Sequence, residues 1–151
     1  MDSNHLSIMN IAYSTSADGV GLRNSLYLAG CPLRCPGCHN QQAWDINNGS
    51  LYSVEEVCDK LNIDKFNISI LGGEPLMQYD AVVNLCRMIK DRYPNKTIWM
   101  WSGYTYTYIQ EHYPNILQYI DVLVDGPFIQ SKADPTLQWR GSSNQNVIYI
   151  K

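Results

Sequence analysis

The sequence is short of charge. Only 17% of its 151 residues are Asp, Glu, Lys or Arg, and the formal net charge is −3 with a pI near 5.5. Such a chain offers no basic stripe for nucleic acid or for an anionic membrane. It also lacks any apolar run approaching the ~18 residues of a membrane span. Its opening residues, Met1 to His5, have neither the basic nor the apolar region of a secretory signal. A cytoplasmic protein is therefore expected, and there thiols stay reduced. No internal repeat or low-complexity segment is present. The five cysteines are an odd number, which disfavours a disulfide framework and leaves metal binding or catalysis as their use. No His–carboxylate or Ser–His pairing suggests itself, so the sequence points away from general acid–base or nucleophilic hydrolysis.

What is present is ordinary for one folded domain spanning residues 1–151. Its hydrophobic fraction is 45%, enough for a real core at this length. Eleven tyrosines supply polar surface of a kind suited to contact with another protein. Residues 24–29 read as a short buried strand, 67–71 as a second, 97–101 as a third and 120–124 as a fourth. Residues 147–150 read as a last strand and 7–11 as a weak first one. Between them, Ser53 with Glu56 three residues on is a capping-box start for a helix to Leu61. Val82, Val83, Leu85, Met88 and Ile89 mark a helix over 79–93 that stops before Pro94. A shorter helix is expected over 105–112. Strands alternating with helices predict an α/β fold around a parallel sheet. A complete eight-fold barrel needs ~250 residues, so the expectation is an incomplete, open parallel (β/α) barrel. Ligands in such folds bind beyond the carboxyl ends of the strands. The cysteines, Gly72–Pro75, Ser102-Gly103 and Asp125-Gly126 all fall there.

Cys31, Cys35 and Cys38 place three thiols on one eight-residue loop directly after the 24–29 strand. Thiolates are soft donors suited to zinc or to iron–sulfur clusters. A closed zinc site wants four ligands. The nearest fourth, His39, is adjacent to Cys38 and poorly placed to join the same tetrahedron, whereas Cys58 and Cys86 fall inside predicted helices. A cubane cluster on three cysteines leaves one iron open to a substrate or cofactor. A zinc loop borrowing His39 or another cysteine remains the alternative on spacing alone.

The spacing Cys-x3-Cys-x2-Cys after a first strand resembles the radical S-adenosylmethionine (SAM) superfamily. Within it, the blocks Gly30 to Asn40, Gly72 to Pro75, Ile98 to Tyr104, Asp121 to Gly126 and Trp139 to Gln145 resemble the family of anaerobic ribonucleoside-triphosphate reductase activating proteins. The blocks run in order from residue 19 to residue 148. The resemblance implies one 4Fe–4S cluster on Cys31, Cys35 and Cys38, with SAM chelated to the open iron. It implies reductive cleavage of SAM to a 5′-deoxyadenosyl radical, which forms a glycyl radical on the large subunit of the anaerobic reductase. It also implies a one-electron donor such as flavodoxin or ferredoxin. SAM contacts are implied for Gly37, Cys38, His39, Gly72, Gly73, Glu74, Ser102 and Asp125. The sequence departs from the pattern at His39, where Tyr is frequent, and at Asn146, where Arg or an apolar residue is expected. Where many superfamily members carry an aromatic residue this chain has Gly37, which fits the activase subgroup.

Each supporting position also has a plainer reading. Gly72 and Gly73 let a ligand approach the backbone closely, or simply turn the chain. Ser102 can meet the methionine carboxylate or ribose of SAM, or cap the following helix. Asp125 can hold a ribose hydroxyl or begin a turn. Arg140 can contact SAM, dock the partner's backbone or sit in solvent. Trp99 and Trp101 share one strand face and read as core. Cys58 and Cys86 read as small buried apolar residues. The resemblance places Gly19, Gly21 and Arg23 near the partner; physics alone says that the loop turns. The functional alternatives are a small-molecule radical SAM enzyme, a pyruvate formate-lyase-type activase, or a zinc or electron-transfer module.

Overall fold

The computed structural model describes residues 2–38 and 41–151, and its helices begin where local chemistry puts them. Helix α1 (Val54–Leu61) follows Ser53, whose Oγ accepts from Glu56 N at 3.1 Å while Ser53 N donates to Glu56 Oε1 at 3.2 Å. That reciprocal pair satisfies two backbone donors the helix leaves open. Helix α2 (Tyr79–Arg92) buries Ala81, Val82, Leu85, Cys86 and Ile89 on one side and ends just before Pro94. Helix α3 (Tyr106–His112) is capped by Thr105, whose side chain accepts from Tyr108 N.

The strands are β1 (His5–Thr15), β2 (Arg23–Leu28), β3 (Ser50–Ser53), β4 (Asn67–Gly72), β5 (Ile98–Trp101), β6 (Val122–Asp125) and β7 (Asn146–Tyr149). The described residues form one seven-stranded sheet in the order β3-β1-β2-β4-β5-β6-β7. Its centre is parallel as expected: β2 pairs with β4, β4 with β5 and β5 with β6. Its flanks correct the expectation of a parallel sheet, since β1 pairs antiparallel with both β2 and β3, and β7 antiparallel with β6. The physical reason lies in the connections. Parallel neighbours need a long crossover, and those at the centre carry α1, α2 and α3. The short link from β1 to β2 permits only an antiparallel return. β1 is also longer than its sequence pattern suggests, and β3 was not anticipated.

The period of two along each central strand sorts the side chains into two layers. Leu26, Leu28, Ile68, Ile70, Ile98, Met100 and Leu123 join the buried faces of α1 and α2 and Ile109 of α3 in the main core. The opposite face carries Trp99, Val122 and Val124 with Trp101, Trp139 and Val147 packed against them. Helices thus cover one face, and the other is left for the loops that follow the strands.

That second face also holds a buried cation. Arg23 is 2% exposed. Its guanidinium donates to Ser69 Oγ at 2.8 Å, to Ile68 O at 2.7 Å, and to Thr97 O and Oγ1 at 3.0 and 3.1 Å. It also lies 5.5 Å from the Trp99 ring centre and donates to Val20 O. Burial pushes its pKa down to about 10. Arg23 is therefore an internal anchor for the loop before β2 and not a surface contact. The loop's exposed large apolar residues are Val20 and Leu22.

Candidate functional site

The four central strands run in one direction, so their carboxyl ends lie along one edge of the sheet. The residues that follow them line a cavity of about 310 Å³: Cys31 after β2, Gly73 and Glu74 after β4, Ser102 and Gly103 after β5, and Gly126 after β6. Cys35 and Cys38 line the same cavity, so all three thiols of the loop converge on it. Tyr27, Leu71 and Trp101, from the helix-free face, form its floor. Trp101 is thus a cavity residue, while its partner Trp99, at a ring distance of 5.7 Å, is core as expected.

The cysteine loop is held at its stem from both sides. Gly30 N donates to Ala43 O at 2.6 Å and Cys31 N to Trp44 O at 3.0 Å, while Glu74 N donates to Gly30 O at 2.8 Å. Gly73 N reaches Leu28 O at 2.9 Å. These bonds draw the chain so close that side chains have no room. A Cβ at Gly73 would stand 2.4 Å from Gly30 O, and one at Gly72, where φ is +116°, 2.3 Å from Leu28 N. The close approach that requires these glycines within the folded chain is chain against chain. At Gly103 a Cβ would meet only the tip of a side chain, Leu33 Cδ1 of the cysteine loop at 2.1 Å, which Leu33 can relieve by rotating.

The three cysteines are half-buried. Burial pushes the Cys31 thiol up, opposed by the N–H groups of Leu33 and Arg34 and reinforced by the Glu74 charge. Arg34 adopts φ +49° and Gly37 φ +76°, the left-handed turns that fold the loop back on itself. Among the described residues no three His, Cys, Asp or Glu side chains are gathered tightly enough to hold a metal ion. The loop brings all three thiols to one cavity. Their softness, their number and that common cavity fit an iron–sulfur cluster with one open iron. His39 lies outside the described residues.

Glu74 is the other chemical centre. It is 1% exposed, and its carboxylate accepts from Leu76 N at 3.0 Å and Gly103 N at 2.6 Å. Ser102 Oγ lies 3.1 and 3.0 Å from its two oxygens. Ser102 therefore does not cap α3, where Thr105 is the cap; it lines the cavity, and its hydroxyl holds Glu74. Burial pushes the Glu74 pKa up to about 7, against the opposing pull of these donors. The folded chain then keeps a proton that the unfolded chain releases near pH 4.5. Stability should accordingly fall as pH rises from about 4.5 to about 7, then level off. Chemical denaturation across that window, with Glu74→Gln as reference, should show the slope in the native protein and its loss in the variant.

Asp125 is not brought to the cavity. Its Oδ2 accepts from Tyr106 N at the start of α3, and its Oδ1 from Asn146 N at the start of β7. Both oxygens serve the backbone, and Gly126 beside it is the cavity residue. Asn146, the departing position, adds its Nδ2 to the same carboxylate at 3.3 Å. The block Trp139 to Gln145 reaches the cavity through Gln145. Arg140 is engaged within it, donating to Gln145 O at 2.6 Å, and Gln145 Nε2 donates to Gly126 O at 2.9 Å. Trp101 Nε1 fastens the block by donating to Trp139 O at 2.6 Å. Tyr27, Leu33 and Trp44 are cavity residues that no spacing in the sequence marks.

Comparison with known proteins agrees with this geometry. The family model described as a 4Fe-4S single cluster domain matches residues 17–148. The anaerobic ribonucleoside-triphosphate reductase-activating protein of Vibrio cholerae serotype O1 is 41% identical over 137 residues, covering 85% of this chain and 88% of that protein. The protein of the same name from Escherichia coli K12 is 36% identical over 142 residues, covering 89% and 92%. That of Enterobacteria phage T4 is 34% identical over 136 residues, covering 86% and 85%.

Proposed function

Because the chain belongs to the family of anaerobic ribonucleoside-triphosphate reductase-activating proteins, we propose that it installs a glycyl radical on that reductase, using SAM at a 4Fe–4S cluster. The cluster would be held by Cys31, Cys35 and Cys38. When bound, cluster and SAM supply a one-electron reductive cleavage that leads to abstraction of a hydrogen atom. The chain itself supplies position and enclosure. Gly73 and Glu74 form the wall nearest the cysteine stem and would receive the amino group of SAM, with Ser102 and Gly103 holding the Glu74 carboxylate in place. Leu33, Trp101 and Phe128 give the cavity apolar walls that limit water. Gly37, Cys38 and His39 would face the cofactor from the cysteine loop.

The observation that carries this reading is the meeting of the three-cysteine loop with the loops after β4, β5 and β6 around one cavity. A parallel centre with helices on one face supports reading the sheet as the open partial barrel of the radical SAM type. The mouth of such a barrel would admit a glycine presented by a folded partner. No helix among the described residues is long and apolar enough to cross a membrane. A cytoplasmic setting with a flavodoxin or ferredoxin as electron donor fits the reduced thiols.

The test is to mix the reconstituted protein with the anaerobic reductase, SAM and reductant, and to look for a protein glycyl radical by electron paramagnetic resonance. A signal is expected with the reductase and none when its target glycine is replaced by Ala. Without the partner, SAM cleavage should be slow. An equal radical yield with the Ala variant, or turnover of a small molecule without the reductase, would reject the activase reading.

A further inference from the structure

Trp44 carries a donor that the described residues leave without an acceptor. Its indole Nε1 is buried and has no hydrogen-bond partner among them. Buried indole N–H groups ordinarily find one. Among the described residues three other buried polar atoms share this condition, on Ser25, Asn62 and Asn144, and of these four residues only Trp44 lines the cavity. The indole is also fixed in place. Trp44 O accepts from Cys31 N at 3.0 Å, and the guanidinium of Arg34, within the cysteine loop, lies 5.5 Å from the ring centre. The side chain is thus tied to the segment that carries the three thiols, both through its backbone and through its ring.

An orphan donor on a residue that lines the same cavity as the three thiols finds a chemically suitable acceptor in the sulfur of a cluster held there. We propose that Trp44 Nε1–H donates to a sulfur of the unit formed by the cluster and its thiolates, and that this bond keeps the cluster reducible. The inference rests on the iron–sulfur reading of the cavity. A hydrogen bond to sulfur draws electron density away from the iron and stabilises the more negative, reduced form, which raises the reduction potential. The fixed positive charge of Arg34 acts in the same direction. The bond also relieves the orphaned indole, so cluster and loop stabilise each other.

Trp44→Phe keeps an aromatic ring and removes only the donor. Reconstituted without SAM, it should match the native protein in iron and sulfide. In a redox titration followed by electron paramagnetic resonance, its midpoint should lie at a more negative potential. Arg34→Gln should move the midpoint the same way. An unchanged or more positive midpoint for Trp44→Phe at full iron content would overturn the proposal. So would a shift that appears only with SAM bound, since the acceptor would then be SAM. If Trp44→Phe holds iron poorly, Trp44→His restores a ring N–H. Recovery of iron and of the native midpoint would support the bond, and failure of both would assign Trp44 to packing alone. A native protein without iron and sulfide would instead reject the cluster reading itself, before any titration.

Discussion

Alanine at Cys31, Cys35 or Cys38 is expected to abolish both the cluster and SAM cleavage. The native protein, reconstituted anaerobically, should hold about four irons per chain. Three thiolates are the fewest that can hold a cubane while leaving one iron open, so no member of the set is spare. The loss should exceed the ~10–100-fold that changes outside the ligand set produce at metal sites. Cys58 and Cys86 provide the contrast. Both are fully buried, in α1 and α2, and belong to the main core. Burial in that apolar layer pushes the Cys86 thiol up to about 12, so it stays protonated and inert. Serine at either position buries a hydroxyl among apolar side chains, costing about 1–3 kcal/mol where no partner is found. Both variants should keep their iron and lose some resistance to denaturant. Iron and sulfide analysis of the five variants checks the division. Stoichiometric zinc without sulfide in the native protein after reconstitution would show that the loop is a zinc site instead.

The division between loop cysteines and helix cysteines was legible because it depends on local order: three within eight residues, the others at helical positions. The same holds for the capping box of Ser53 and Glu56 and for the apolar stripe of α2. What escaped the sequence depends on distant partners. β3 is a four-residue edge strand with mixed exposure, formed only because β1 lies beside it. β1 buries Leu6, Ser7 and Ile8 in succession and so lacks alternation. Ser7 tolerates burial because Gln78, 71 residues away, pairs with its backbone N–H and C=O. Arg23 looks like a surface cation until Ser69, Ile68 and Thr97 are brought around it. Ser102 and Asp125 were placed rightly at strand ends, but their hydrogen bonds go to Glu74, Tyr106 and Asn146, pairings no spacing rule contains. The site's position was therefore readable from strand order, and the separation of residues that line the cavity from those that brace it was not.

That separation governs Gly73. Valine there is expected to lose iron as well as SAM, not SAM alone. The added Cβ would stand 2.4 Å from Gly30 O, 2.9 Å from Gly30 C and 3.1 Å from Ala43 O. All three are backbone atoms, so no side-chain rotation relieves the overlap. Gly30 directly precedes Cys31, and Ala43 precedes Trp44, so the strain falls on the stem from which the cluster loop springs. Overpacking of this kind typically costs about 1–3 kcal/mol, with a rigid backbone toward the upper end. Moving the stem also breaks the hydrogen bonds from Gly30 N to Ala43 O and from Glu74 N to Gly30 O. Gly21→Ala supplies the matched control. Its φ is +77°, but nothing lies within 4 Å of a Cβ there. It should cost a comparable ~1–2 kcal/mol through backbone strain alone, while leaving iron content intact. Iron per chain, SAM affinity and denaturant midpoint, measured on both variants, separate the two effects. A Gly73→Val protein with native iron content and no SAM binding would mean that the stem yields to the side chain, and that the glycine is kept open for the cofactor after all.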